Sequence, residues 1–240
     1  MSGDPYWGKV SLLLSMNGSD GSTSFVDSSS LAFSVTANGN AQIKTDQSKF
    51  GGASGYFDGS GDYLSIASNA AFGFGTDAFT VEFWLYPTRN SGDEDVVDSR
   101  TSDTGMALLI GKSGAGAVRC YDGTTVRTGG TLTLNTWQHV AWSRSGSSNI
   151  VFLGGTSVIS FSNAFDAGTA RPLTIGANVS TGFENYQGYV DDLRITKGAA
   201  RYTTNFTPPA AAFDTFGAPL LSTAIQRPIV QAFNPLIFHY

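Results

Sequence analysis

Phe79-Thr-Val-Glu-Phe-Trp-Leu-Tyr-Pro87 alternates with a period of two, so that Phe79, Val81, Phe83 and Leu85 share one face of an extended chain and Thr80, Glu82, Trp84 and Tyr86 the other. The first set is wholly apolar, which predicts a strand with one side in a core. The second sets two large aromatics beside a carboxylate, a combination that suits a concave, partly covered sheet surface better than an open one. Core aromatics lying beneath long loops and a ligand-holding face are both compatible with it.

Short apolar or alternating runs of the same kind recur from Lys9 to about Phe206 between clusters of Gly, Asn, Asp and Ser. They predict strands at 9–16, 34–37, 41–44, 54–57, 63–67, 79–86, 96–100, 106–111, 118–122, 137–144, 150–153, 158–161, 173–177 and 186–196. No helix-period segment of useful length interrupts them. The composition agrees: 41% hydrophobic and 14% charged residues with 29 glycines is the balance of many strands joined by tight turns. At 240 residues the chain is long enough for one sandwich with a sizeable core and a tail. Cys120 is the single cysteine, so no intrachain disulfide forms, and a metal site would need mainly oxygen ligands.

From Gly217 to Tyr240 the composition changes, with three prolines, one arginine and no acid. Pro219, Pro228 and Pro235 exclude a long helix or a central strand. Ten apolar side chains, Leu220, Leu221, Ile225, Ile229, Val230, Phe233, Leu236, Ile237, Phe238 and Tyr240, would be poorly tolerated in water. The division is therefore a sandwich over 1–216 and an extended arm over 217–240, lying on its own domain or a neighbouring subunit.

Four segments in order carry a family resemblance: Phe50-Gly-Gly-Ala-Ser-Gly-Tyr-Phe-Asp-Gly-Ser-Gly-Asp-Tyr-Leu64, Phe79 to Pro87, Thr136-Trp-Gln-His-Val-Ala-Trp-Ser-Arg144, and Gly188-Tyr-Val-Asp-Asp-Leu-Arg-Ile-Thr-Lys-Gly-Ala-Ala-Arg-Tyr202. Together, over roughly Val10 to Pro209, they resemble the laminin-G-like jelly rolls of the concanavalin A-like superfamily, in the form common in bacteriophage and marine virus structural proteins. The resemblance implies an all-β, antiparallel jelly-roll β-sandwich with an extended C-terminal arm. It is far less specific for function, because lectins, glucanases and structural modules share the fold. The residues have independent physical readings. Gly59 and Gly61 supply positive φ for a turn between strands, with Asp58 available to cap it. Period two puts Trp137 and His139 on one face of a central strand and Val140 and Trp142 on the other, which makes His139 a structural histidine.

Catalytic chemistry finds little support. The histidines are His139 and His239, and no Gly-x-Ser-x-Gly elbow presents a nucleophile. Glucanases of this fold place Glu-x-Asp-x-x-Glu on one strand, but Glu82, Glu94 and Glu184 do not fall in that spacing. The acidic run 92–98 reads as a solvated loop, 111–116 as a hairpin turn, and Cys120 as a small buried thiol. Calcium is the more plausible chemistry, since sixteen of the 19 acidic residues are aspartates in Gly/Asn/Ser loops. By resemblance the ligands would include Asp27 and Asp191, although Ser30-Leu31-Ala32 stands where relatives have glycines and asparagine. The alternative has Asp27 capping a turn and Asp191 or Asp192 pairing with Arg194 or Arg201.

A net charge of −5 and the lack of a basic patch interleaved with aromatics argue against nucleic acid as a partner. No run approaches the ~20 apolar residues that cross a bilayer, and the first residues do not read as a signal peptide. The functional expectation is a non-enzymatic virion structural protein, a capsid decoration subunit exposed on the virion surface. Its arm would assemble neighbouring subunits or a homo-oligomer, such as a trimer. The rival expectation is a glycan-binding adhesion module of a phage tail or fibre that meets cell-surface sugars through Trp84 and Tyr86 or the loops around Asp58 and Asp62.

Overall fold

The computed structural model describes residues 3–101, 109–178 and 184–218. With 45% strand and 3% helix, it is an antiparallel two-sheet sandwich. In chain order the strands are β1 Val10–Leu14, β2 Thr36–Asn38, β3 Gln42–Lys44, β4 Ser54–Asp58, β5 Tyr63–Asn69, β6 Phe79–Pro87, β7 Glu94–Asp98 and β8 Leu109–Lys112. They continue with β9 Val118–Tyr121, β10 Val126–Gly129, β11 Gln138–Ser145, β12 Ser148–Leu153, β13 Thr156–Ser162, β14 Arg171–Ile175 and β15 Gln187–Lys197. The larger sheet runs β13-β12-β11-β6-β15-β4-β3, and β1 pairs with the second half of β15 beyond the stretch that β4 occupies. The smaller sheet runs β10-β9-β8-β7-β14-β5-β2.

The alternation of β6 works as expected, because Phe79, Val81, Phe83 and Leu85 are all buried in the inter-sheet core. Each such side chain contributes about 1.5–3 kcal/mol relative to an exposed one. Phe79 stacks on Phe74 at 4.9 Å and meets the Trp142 ring edge-on at 5.5 Å. Trp142 also donates its indole N–H to Asn149 at 3.2 Å, which satisfies the one polar atom it brings inside. The turn after β4 has positive φ at Gly59 (85°) and Gly61 (77°), as its sequence requires. Cys120 is buried, and burial pushes its thiol up to about 12, so it is inert packing.

Two expectations change, and a third lies partly outside the described residues. Residues 92–98 do not form a solvated loop: Glu94–Asp98 is a strand buried at every position. Its charges are matched by Arg89 and Lys112 for Glu94 and by Arg100 and Arg119 for Asp95 and Asp98. An additional strand, β10, pairs with β9 at the sheet edge; its exposed pattern lacks the apolar alternation that would have signalled it. The expected strand at 106–111 is seen from Leu109 onward. At the C-terminus, Gly217 bridges Asp4 in parallel, and Ala218 donates its N–H to the Asp4 carbonyl at 3.1 Å. The chain thus stays attached to the sandwich through residue 218. The ten arm residues from Leu220 to Tyr240 lie outside the described residues.

Candidate functional site

The face of the larger sheet turned away from the core divides into a covered part and an open part. Four aromatic side chains cross the open part in a row: Trp137 at the entrance of β11, Tyr86 on β6, Tyr189 on β15 and Tyr56 on β4. Each tyrosine adjoins a buried core residue in sequence, Leu85, Val190 or Phe57, so alternation turns it outward. The register does the rest, placing Tyr189 opposite both Tyr86 and Tyr56, while Trp137 lies one step beyond the Gln138–Leu85 pair. From Trp137 to Tyr56, successive ring centroids are 5.4, 5.7 and 4.9 Å apart. That is close to one ring per strand at the usual spacing of about 4.8 Å. Trp137, Tyr86 and Tyr56 are half-buried, and Tyr189 at the centre is 9% exposed.

The Tyr56 end of the row is acidic. Tyr189 donates its hydroxyl to Asp46 Oδ2 at 2.9 Å, and its phenol pKa is raised, first by burial and then by Asp46. The Tyr56 phenol is raised by burial and by the charges of Asp58, Asp62 and Asp46. Asp58 follows Tyr56 on the same face, opposite Gln187; its Oδ1 accepts from the Ser60 N–H at 2.7 Å. Asp62, by contrast, is buried and accepts from the backbone N–H groups of Asn40 and Asp58. It pins the turn and is a correction to the expectation that it meets a ligand.

Trp84 needs a similar correction. It shares a strand and a face with Tyr86 but is only 6% exposed. The Lys49 ammonium lies 3.9 Å from its ring centroid, with Phe50 edge-on at 5.8 Å and His139 at 5.3 Å. Trp84 anchors the 46–52 loop, and truncating it would unseat that loop rather than remove a sugar contact. Of the four expected ligand residues, the structure leaves Tyr86 and Asp58 at the open surface. Tyr56, Trp137 and Tyr189 were not anticipated, since only strand register brings them beside Tyr86.

Further along the same face, the segments around Asp4 and 201–213 lie over the sheet and enclose charge. Glu82 is fully buried; Arg194 donates Nε and Nη2 to its Oε1 at 2.9 and 2.8 Å, and Tyr202 donates its hydroxyl to Oε2 at 2.7 Å. Arg194 Nη1 also reaches Asp4 Oδ2 at 3.0 Å, and Arg201 Nη2 meets the same oxygen at 2.7 Å. Burial alone would raise the Glu82 pKa, but Arg194, His139 and Arg201 outweigh it and hold the carboxylate at about 2. His139 is fully buried, with Nε2 in a long 3.4 Å contact to Glu82 Oε2 and neither ring nitrogen in a hydrogen bond. Glu82 is thus a clamp for these two segments, not an exposed acid.

Asp191 and Asp192 sit where the register of β15 shifts, Asp192 at φ 48°, and both are buried. Neither pairs with Arg194 or Arg201 by hydrogen bond or ion pair. Asp191 Oδ2 accepts from the N–H groups of Lys49 (2.8 Å) and Phe50 (3.0 Å), and Asp192 Oδ2 accepts from that of Phe213 (2.8 Å). Oδ1 of each has no hydrogen-bond partner. Burial, only partly offset by these donors, raises both carboxyls to about 7. Asp27 is saturated by the N–H groups of Leu13, Ser29 and Phe33 and by the Ser29 hydroxyl. It caps its loop, which corrects its assignment as a calcium ligand. Among the described residues, no group of three or more His, Cys, Asp or Glu side chains is gathered to hold a metal ion.

Two antiparallel sheets with an aromatic row on the outer face of one define a lectin-like jelly-roll domain. A laminin G family model matches residues 58–201, more than half the chain, so the protein belongs to the concanavalin A-like lectin/glucanases superfamily. No curated protein matches it significantly. Among solved structures, domain 4 of a GH43 extracellular arabinanase from Geobacillus stearothermophilus, in complex with arabinotriose, is similar at TM-score 0.60 and 18% identity. That likeness covers 80% of this chain and 94% of the other. The binding domain of Paraclostridial Mosquitocidal Protein 1 is similar at TM-score 0.63 and 14% identity, over 81% of this chain and 50% of that one. A structure of botulinum neurotoxin type C, for which interaction with two ganglioside molecules is needed to enter cells, is similar at TM-score 0.57 and 14% identity, over 80% of this chain and 49% of that one. The chain spans about half the length of these toxin structures.

Proposed function

We propose that this protein is a non-catalytic glycan-binding module whose ligand lies along Trp137, Tyr86, Tyr189 and Tyr56. The row itself carries the reading. Aromatic faces meet the C–H faces of pyranose and furanose rings, and Asp46, Asp58 and Gln187 stand beside them as hydroxyl partners. Glu82, further along the face, is not available as an exposed acid, because it is enclosed by Arg194 and Tyr202. Tyr86→Ala and Trp137→Ala are expected to weaken binding to a responding oligosaccharide at least tenfold each, with thermal midpoints close to the parent. Isothermal titration with that oligosaccharide is the check, and unaltered affinity in both variants would move the site elsewhere.

The segment 217–240 fits a second role within the same module, joining copies or neighbouring subunits on a virion. Its ten apolar side chains motivate that proposal, as does its departure from beside Asp4, at the covered end of the face and away from the row. Because Gly217 and Ala218 hold Asp4, the test truncation ends at residue 218. Light scattering is expected to report an oligomer for the full chain and a folded monomer for the truncation. Two monomers would remove the assembly role and leave the glycan reading untouched.

A further inference from the structure

Resting on the reading of the row as a glycan site, we propose that it selects neutral linear glycans and rejects sialylated, sulfated or uronic-acid-bearing ones. Two carboxylates flank its Tyr189–Tyr56 end: Asp46, which holds the Tyr189 hydroxyl at 2.9 Å, and Asp58, on the same face as Tyr56 and paired across to Gln187. Their negative charge reaches the row, since Asp58 and Asp46 both add to the burial that holds the Tyr56 phenol protonated.

The cations near this end, among the described residues, are drawn to other partners. Lys49 is drawn over Trp84 and Phe50, at 3.9 and 5.4 Å from their ring centroids. Arg89 sets its Nη1 beside Gly59, next to Asp58, but its Nε is committed to Glu94 at 2.8 Å and its Nη2 to the Asn185 carbonyl at 2.7 Å, and Lys44 pairs with Asp20 at 3.7 Å. A sugar carboxylate or sulfate arriving beside Tyr56 therefore meets like charge and finds no free guanidinium fork, the usual device for holding such groups, because two of the three Arg89 nitrogens are already engaged. A neutral sugar meets the same carboxylates as acceptors for its hydroxyls. The shape of the site sets the length of the occupant: four rings stepped one per strand make a track running across the strands, which suits a chain of several sugars.

The test is an array carrying linear arabino-, xylo- and cello-oligosaccharides beside sialylated and sulfated oligosaccharides, probed with the full chain, Asp46→Asn/Asp58→Asn and Tyr86→Ala. The parent is expected to bind at least one neutral series tenfold or more above every anionic glycan. Asp46→Asn/Asp58→Asn keeps the acceptor oxygens, loses the charge and narrows that preference; Tyr86→Ala loses the signal. Equal or stronger binding of anionic glycans by the parent would overturn the charge rule while leaving the site in place, as would an undiminished preference in the double variant. Binding to nothing on the array would overturn the functional reading and the charge rule together.

Discussion

Arg194→Ala is expected to destabilise the protein by about 3–5 kcal/mol, the usual cost of stripping one partner from a buried ion pair. Arg194 is the centre of the clamp between the sheet and these two segments: two of its N–H groups meet Glu82, a third meets Asp4, and its guanidinium lies 3.7 Å from the Phe213 ring centroid. Without it, a fully buried carboxylate keeps only Tyr202, the long His139 contact and Arg201 at 3.7 Å. Arg194→Lys restores the charge but not the fork, and should recover only part of the loss. Arg194→Met with Glu82→Leu removes both charges and should recover more than either single change predicts. Urea unfolding of the parent, Arg194→Ala and Arg194→Lys measures the loss, and the parent, Arg194→Met, Glu82→Leu and the double variant make the cycle. A loss below about 1 kcal/mol for Arg194→Ala, the scale of an exposed ion pair, would show that the network is not what fastens these segments.

Alternation in Phe79–Pro87 is a local property, so the two faces of β6 and the partly covered nature of the second were legible. Which of its aromatics stays open was not. Trp84 and Tyr86 are two positions apart on one face; Lys49 and Phe50, more than thirty residues upstream, cover the first and spare the second. Tyr56, Tyr189 and Trp137 join Tyr86 only through the pairing of four strands, a long-range property that period-two patterns leave undetermined. The acidic run at 92–98 misleads for the same reason. A charge run reads as solvated unless its counterions are known, and Arg119 and Lys112 arrive from β9 and β8. Asp27 and Asp191 were legible as oxygen-rich loop and strand positions, but Asp27 turned out to be saturated by backbone donors that no sequence motif counts.

Stability is expected to fall by about 5 kcal/mol between pH 5 and pH 8, because two carboxyls each lose roughly 1.4 kcal/mol per pH unit until the folded pKa is passed. Asp191 and Asp192 titrate at about 7 in the folded chain against an ordinary 3.8. Between those values the folded protein binds protons that the unfolded chain does not, so each step up in pH favours unfolding until the folded pKa is passed. Asp62, Asp95 and Asp98 are shifted in the same direction, each first by burial. Glu82, Asp4, Asp122 and Glu184 are shifted the other way; the stability they supply is present above the ordinary carboxylate range and is lost only as pH falls below it. The maximum therefore lies near pH 4–5, below the range of about 5–8 common for globular proteins. Asp191→Asn and Asp192→Asn assign the effect to this pair: the amide oxygen still accepts from Lys49, Phe50 or Phe213, and asparagine tolerates the positive φ at residue 192. Each substitution should raise stability at pH 8 and flatten the slope, leaving the values at pH 5 little changed. Urea midpoints at constant ionic strength across pH 4–8 decide the matter, and a parent profile that is flat or rising from pH 5 to 8 would mean that the two carboxyls are ionised and accommodated in the fold.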